Sequence, residues 1–276
     1  MSNFHNDEWV MNKIQNHYDE ALQYFSESKI IGIFCQGSTN YGLDTENSDI
    51  DTKLVVAPSF EDIALNKQPI STTHIRENDE HIDFKDFRLM LQTFKKQNIN
   101  FLEILFTPYK ILNPLYEAEW KKLEDRREEI AHYNEYQFFK ATEGVMKQKY
   151  FAMEHRYPSK ASLIDEYGYD GKQLHHLVRL QYFLEDYFDK KQDFAVCLQA
   201  PNVDYLKKLK ENAYWLADAQ DIAIKTMNKL KERSDYIKDN IDLFSISNAS
   251  IDELLEQTQV NLLKIALQEE LKDYVD

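Results

Sequence analysis

The apolar positions of this chain follow two periods. Up to about residue 110, short apolar runs and alternating patterns dominate; beyond about residue 130 nearly every segment repeats at helical spacing. Asp7 to Ser28 places Val10, Ile14, Ala21, Leu22 and Phe25 on one stripe, which predicts a leading amphipathic helix over one face of a sheet. Ile30 to Gln36 is a continuous apolar run and predicts a buried strand, followed by a Gly-Ser turn, a polar connection and a second strand that carries Asp49 and Asp51. Phe60 to Leu65 predicts a short helix, and ISTTHIR (Ile70 to Arg76) a strand. In EHIDFKDF (Glu80 to Phe87), Ile82, Phe84 and Phe87 are the apolar positions, while Asp83 and Lys85 share the opposite face of a strand. Phe87 to Lys96 reads as a helix, NINFLEILF (Asn98 to Phe106) as a short element, and Pro108 and Pro114 as marks of a turn-rich connection.

The rest is helical in pattern: Trp120 to Ile130, Glu135 to Tyr157 closed by Pro158, Lys172 to Asp189 after the Gly168 and Gly171 turn, Asp204 to Lys231, Asp235 to Asp242, and Ile251 to Tyr274. The fold class this predicts is α+β, with a small mixed sheet and flanking helices followed by an all-helical domain. The shift from strands to helices puts the boundary near residue 120, giving domains 1–120 and 121–276.

Candidate chemistry gathers between the first two strands. Alternate side chains of a strand leave on one face, so Asp49 and Asp51 are expected side by side, with Ile50 turned into the core. Two carboxylates that close repel, and a shared proton or cation relieves them; hard oxygen ligands suit magnesium or manganese. Of only six glycines in the chain, Gly32, Gly37 and Gly42 fall in this stretch. A glycine straight after a strand lets backbone approach a ligand, and the Ser38 hydroxyl adds a group that bonds phosphate. No Gly-Lys-Ser/Thr follows, which excludes a P-loop, and the glycine spacing excludes a dinucleotide fingerprint. Further on, Lys172, His176 and Arg179 lie at i, i+4 and i+7 and line one face of their helix.

Gly37-Ser38, ten intervening residues and then Asp49-Ile50-Asp51 resemble the signature of the polymerase-β nucleotidyltransferase superfamily. GSTNYGLDTENSDIDTK is most similar to the bacterial and phage nucleotidyltransferases that include an RNA-repair-associated polymerase-β-like family, and NINFLEILF and GYDGKQLHHLVRL (Gly168 to Leu180) extend the resemblance to about residue 190. Ile99 stands where such relatives often carry proline. The resemblance implies two magnesium or manganese ions on Asp49, Asp51 and Asp83, and a nucleoside triphosphate, ATP among the candidates, held by Gly37, Ser38, Lys172, His176 and Arg179; Lys53, on the Asp49 and Asp51 face, reads as a further phosphate contact or as a counter-charge. The implied reaction moves a nucleoside monophosphate to an acceptor hydroxyl on an RNA end, a protein or a small molecule, with release of pyrophosphate. A catalytically silent nucleotide-binding or regulatory module of the toxin-antitoxin type is the alternative, and the complete set of three carboxylates favours an enzyme.

Charge narrows the partners. With 33 basic and 48 acidic residues the formal charge is -15, so an extended nucleic-acid-binding surface is not expected. Two cysteines, Cys35 and Cys197, make no disulfide framework or metal spacing and fit a reducing, cytoplasmic setting. No stretch approaches the roughly 20 apolar residues that span a bilayer, and the first residues lack an export pattern.

Overall fold

A computed structural model of the chain describes residues 4–46, 48–246 and 248–272. In chain order the elements are α1 (Asp7–Ala21), β1 (Ile30–Gln36), β2 (Asp51–Val56), α2 (Phe60–Ala64), β3 (Ser71–Ile75), β4 (His81–Asp86), α3 (Phe87–Lys95), α4 (Ile99–Leu102), β5 (Lys110–Leu112), α5 (Glu117–Asp125) and α6 (Arg127–Ala131). Then come α7 (Glu135–Ala152), α8 (Ala161–Tyr167), α9 (Gly171–Leu184), α10 (Phe194–Leu198), α11 (Val203–Lys210), α12 (Leu216–Asp239), α13 (Ile241–Phe244) and α14 (Ala249–Lys272). The fold is α+β. It divides into two compact units, Met1–Tyr133 with Ser247–Asp276, and Asn134–Ile246.

The first unit is built on one five-stranded sheet in the order β3-β4-β2-β1-β5. β2 and β4 run parallel and every other pair is antiparallel. Alternation sorts the side chains by face. Leu54, Val56, Ile82 and Phe84 enter a core closed by Val10, Ile14 and Ala21 of α1. Asp51, Lys53, Asp83 and Lys85 lie on the opposite face, where Phe34 stacks on Trp120 of α5 at 4.3 Å between ring centres. Burying side chains of this size stabilises by roughly 1.5–3 kcal/mol each. Asn6 caps α1 through a 2.8 Å bond from the Trp9 amide to its side-chain oxygen, and Asp86 caps α3 by accepting from the Arg88 amide at 2.8 Å.

Three sequence expectations change here. β2 begins at Asp51, so Asp49 lies in the connection before it and not on the strand. β1 ends at Gln36, opposite Asp51, and the turn at Gly37 takes the backbone away, leaving residues before Asp51 no ladder partner on that side. Ile50 is nonetheless buried in the α1 core. Second, the connection between Pro108 and Pro114 holds the short edge strand β5. It approaches β1 so closely that a Cβ at Gly32 would lie 2.9 Å from Leu112 Cδ2 and 3.0 Å from the Ile111 carbonyl oxygen. Third, α5, α6 and α14 belong to the first unit, so the units part after Tyr133 where the composition shift suggested residue 120. α14 packs on α3 and α5 through Ile251, Leu255, Thr258, Leu262 and Ala266. The predicted end of that helix, 273–274, lies outside the described residues.

The second unit is helical, with α7, α11 and α12 packed around α9. The helix expected from Asp204 to Lys231 is two helices, because Asn212 adopts a left-handed φ of 55° between them. Its side chain then donates to the Tyr169 carbonyl at 2.7 Å and accepts from the Gly171 amide at 3.3 Å. α7 contributes Phe138 to an aromatic cluster with Phe183, Tyr187 and Phe194, and it also buries Glu143. Lys147 Nζ donates to it at 2.9 Å and Ser234 Oγ at 3.0 Å, and Lys140 Nζ completes the set.

Burial alone would raise the Glu143 carboxyl, but the bonds from Lys140, Lys147 and Ser234 outweigh it and hold the pKa at about 2. A folded pKa below the unfolded one contributes stability that is complete above pH 4.5 and is lost as the pH falls towards 2. Glu143→Gln is therefore expected to lower unfolding free energy at pH 7 by about 1–3 kcal/mol, with the deficit closing in acid. Urea titrations of both proteins across that range check it; a deficit that does not depend on pH overturns it.

Candidate active site

Gly37 ends β1 with φ 87° and ψ -146°, a backbone state open to glycine and strained for any L side chain. Ser38 to Tyr41 then make one tight 3-10 turn, closed by Gly42 at φ 68°. Side chains pin the turn. Asn40 Nδ2 donates to the Cys35 carbonyl at 2.9 Å, and Thr107 Oγ1 donates to Asn40 Oδ1 at 2.7 Å. The Tyr41 hydroxyl donates to buried Glu103, which anchors the turn to the segment after α4.

Two strand registers bring the carboxylates to this end of the sheet. Gln36, the residue before Gly37, pairs with Asp51, and the parallel β2–β4 ladder sets Lys53 beside Asp83. Lys53 is only 3% exposed, and its ammonium is 3.3 Å from Asp83 Oδ2 and bonded to Gln36 Oε1. Gln36 Nε2 donates to the same Asp83 oxygen at 3.3 Å, while Thr73 Oγ1 donates to Asp83 Oδ1 at 2.6 Å. Burial pushes the Asp83 carboxyl up, but the Lys53 charge and the bonds from Thr73 and Gln36 outweigh it and hold the pKa below the usual carboxylate range. The Phe101 ring lies 4.5 Å from Lys53 Nζ and 5.0 Å from Lys85 Nζ. Burial and the nearby Lys53 charge push the Lys85 ammonium below its usual value, against the pull of Asp83.

Asp51 is partly exposed at the head of β2 and accepts from the His81 amide at 3.0 Å; Asp49 is exposed in the connection before it. Among the described residues no three His, Cys, Asp or Glu side chains gather so that they could hold a metal ion. Magnesium is commonly held by one or two carboxylates with water and substrate phosphates completing its shell, and Asp49, exposed, and Asp51, partly exposed, supply two oxygen-donor side chains separated by one residue. Asp83 does not join them, because both of its oxygens accept hydrogen bonds and one faces an ammonium.

The remaining predicted contacts lie in the second unit. Lys172 is exposed in the first turn of α9, His176 is half-buried and Arg179 is 5% exposed. Lys149 of α7 joins them. Burial lowers its pKa and the charges of Lys172 and Arg179 lower it further. Burial, His175, Arg179, Lys149 and Lys172 act in the same direction on His176, which stays neutral well below its usual value. His175 donates to the Leu206 carbonyl from Nδ1 at 2.9 Å, and burial drops its pKa to about 4.

Sequence reasoning missed Gln36, Thr73, Phe101 and Lys149 as members of these clusters. Strand alternation had put Lys85 on the Asp83 face, and the same rule applied to ISTTHIR would have put Thr73 on one face with Ser71.

Comparison with protein families finds no match, and comparison with curated proteins finds none. Among solved structures, the nucleotidyltransferase-like protein from Exiguobacterium sibiricum 255-15 is similar over 81% of this chain and 75% of its own, at 12% identity and a TM-score of 0.31. No helix among the described residues is long and apolar enough to cross a membrane.

Lys53→Met removes the charge that does most to hold Asp83 ionised. The Asp83 carboxyl is expected to titrate at higher pH in the variant, read from its carboxyl carbon by NMR. An unmoved midpoint would remove Lys53 from the electrostatics of this site.

Proposed function

We propose that this chain is a nucleotidyltransferase that moves a nucleoside monophosphate from a triphosphate to an acceptor hydroxyl and releases pyrophosphate. The observation that carries this reading is the meeting, at one end of one sheet, of a glycine-dependent turn with Asp51 and Asp83, through two independent strand registers. The Gly37 and Ser38 backbone amides and the Ser38 hydroxyl receive the phosphates. Asp49 and Asp51 hold a divalent cation, magnesium or manganese, which when bound offsets triphosphate charge and polarises the phosphoryl oxygens. Lys53 keeps Asp83 ionised, and Asp83 orients the acceptor hydroxyl and takes its proton. Lys172 and Arg179, with Lys149, gather positive charge around neutral His176 in the second unit, a setting that suits an anion such as phosphate.

The acceptor class divides into an RNA end, a protein and a small molecule. The charge of -15 argues against long-range capture of nucleic acid. Incubation with each α-labelled triphosphate and a panel of these acceptors in magnesium tests the activity. Binding without transfer to any of them would leave the nucleotide-binding module in its place.

Calorimetry is expected to show triphosphate binding that is strong in magnesium and weak in EDTA, since the phosphates otherwise meet unscreened carboxylates; equal affinities would rule the site out. Asp51→Asn is expected to cut transfer about 10²–10³-fold, the scale of one lost electrostatic contact to a transition state. Its melting temperature in EDTA should be nearly unchanged, because asparagine still accepts from the His81 amide. The extra stabilisation by magnesium plus triphosphate should shrink. A variant that melts far lower in EDTA would make Asp51 a structural residue.

A further inference from the structure

Thr73 stands directly opposite Asp83 in the β3–β4 ladder, so the two side chains share a face. β3 is an edge strand, and Ser71, Thr72 and Thr73 are all exposed. The Thr73 hydroxyl donates to Asp83 Oδ1 at 2.6 Å, while Gln36 and Lys53 grip Oδ2 from the other side at 3.3 Å each. The carboxylate is thus held in place by the strand that leads into Gly37 and by β2, and its second oxygen is offered to one hydroxyl. That is the contact asked of a base and its acceptor: a hydroxyl on an exposed residue within hydrogen-bond reach of a carboxylate held in place. The same carboxylate accepts from Gln36, the residue that immediately precedes Gly37.

We propose that Thr73 is itself an acceptor, and that the chain nucleotidylates its own edge strand. The inference rests on the nucleotidyltransferase reading and adds a modification site to it. Thr73 Oγ1 forms a bond to the α-phosphorus of the triphosphate as the bond from that phosphorus to the bridging oxygen of the β-phosphate breaks. The hydroxyl proton passes to Asp83, pyrophosphate leaves, and a phosphodiester joins Thr73 to the nucleoside. No oxidant or further reactant is needed. Once modified, Thr73 has no proton to donate to Asp83, so each chain takes up one nucleotidyl group.

The test uses the purified full chain, magnesium and each of the four common ribonucleoside triphosphates, labelled in parallel at the α- or the γ-phosphate. Label from the α-position and none from the γ-position is expected to stay on the protein, and peptide mass spectrometry is expected to find it on Thr73. The rate should not change on dilution, as an intramolecular step requires. Thr73→Val, which suits an exposed strand, should fall to background, while Thr73→Ser keeps a hydroxyl and should still be labelled. Label on another residue, or Thr73→Val labelled as well as the wild type, overturns the inference. So does an unlabelled protein that nonetheless transfers to an added acceptor, and in that case the nucleotidyltransferase reading stands without self-modification. An unlabelled protein with neither transfer nor magnesium-dependent triphosphate binding sinks both.

Discussion

Lys53 lies almost entirely out of solvent, and an ammonium buried there needs a counter-charge within reach. The parallel ladder between β2 and β4 supplies one by setting Asp83 beside it. Their pairing holds the rest of the candidate site in place. Gln36 joins through both its oxygen and its nitrogen, which ties β1 and the Gly37 turn to the pair, and Thr73 joins from β3. A one-residue slip of β4 against β2 would turn Asp83 into the α1 core and expose Phe84, so burial of the apolar face enforces the charge pairing on the other.

The start of β4 is fixed from behind by a second buried network. His17 of α1 is fully buried and shares hydrogen bonds with Thr52 Oγ1 at 2.9 Å and Glu80 Oε2 at 3.0 Å. Glu80 also accepts from Lys13 at 3.0 Å and Arg76 at 2.8 Å. Burial would raise the Glu80 carboxyl, but the bonds from His17, Asn78 and Lys13 outweigh it and keep it ionised well below the usual range. Glu80 immediately precedes His81, whose amide bonds to Asp51. The helix on one face of the sheet thereby helps to set the carboxylate at the head of β2.

The cationic group of the second unit obeys the opposite logic. Glu80, Asp83 and Glu143 are held ionised by the donors around them, whereas burial and the charges of Lys172 and Arg179 push the Lys149 ammonium down against the pull of Asp170, and burial with neighbouring cationic groups pushes His176 the same way. Gathered like charge costs stability, and an anion relieves it.

Local rules were enough for much of this protein. The apolar run of β1, the alternation of β4 and the stripe of α1 follow from periods of two and of 3.6, which depend on neighbours in sequence alone. Gly37 was legible for the same reason, since only glycine takes that backbone state readily, and so was the burial of Ile50 between two carboxylates. What the tertiary structure decided is everything set by a partner distant in sequence. Where β2 begins depends on where β1 stops opposite it, and β5 exists because Gly32 admits Leu112. α14 shows an apolar stripe in sequence, yet that stripe does not say that it returns to α3 and α5. The sequence by itself determined the α+β class, the turn and the three candidate carboxylates. Only the fold decided that Asp83 faces Lys53, Gln36 and Thr73, because strand register is set by long-range pairing and the burial of a whole sheet face, and no local pattern carries it.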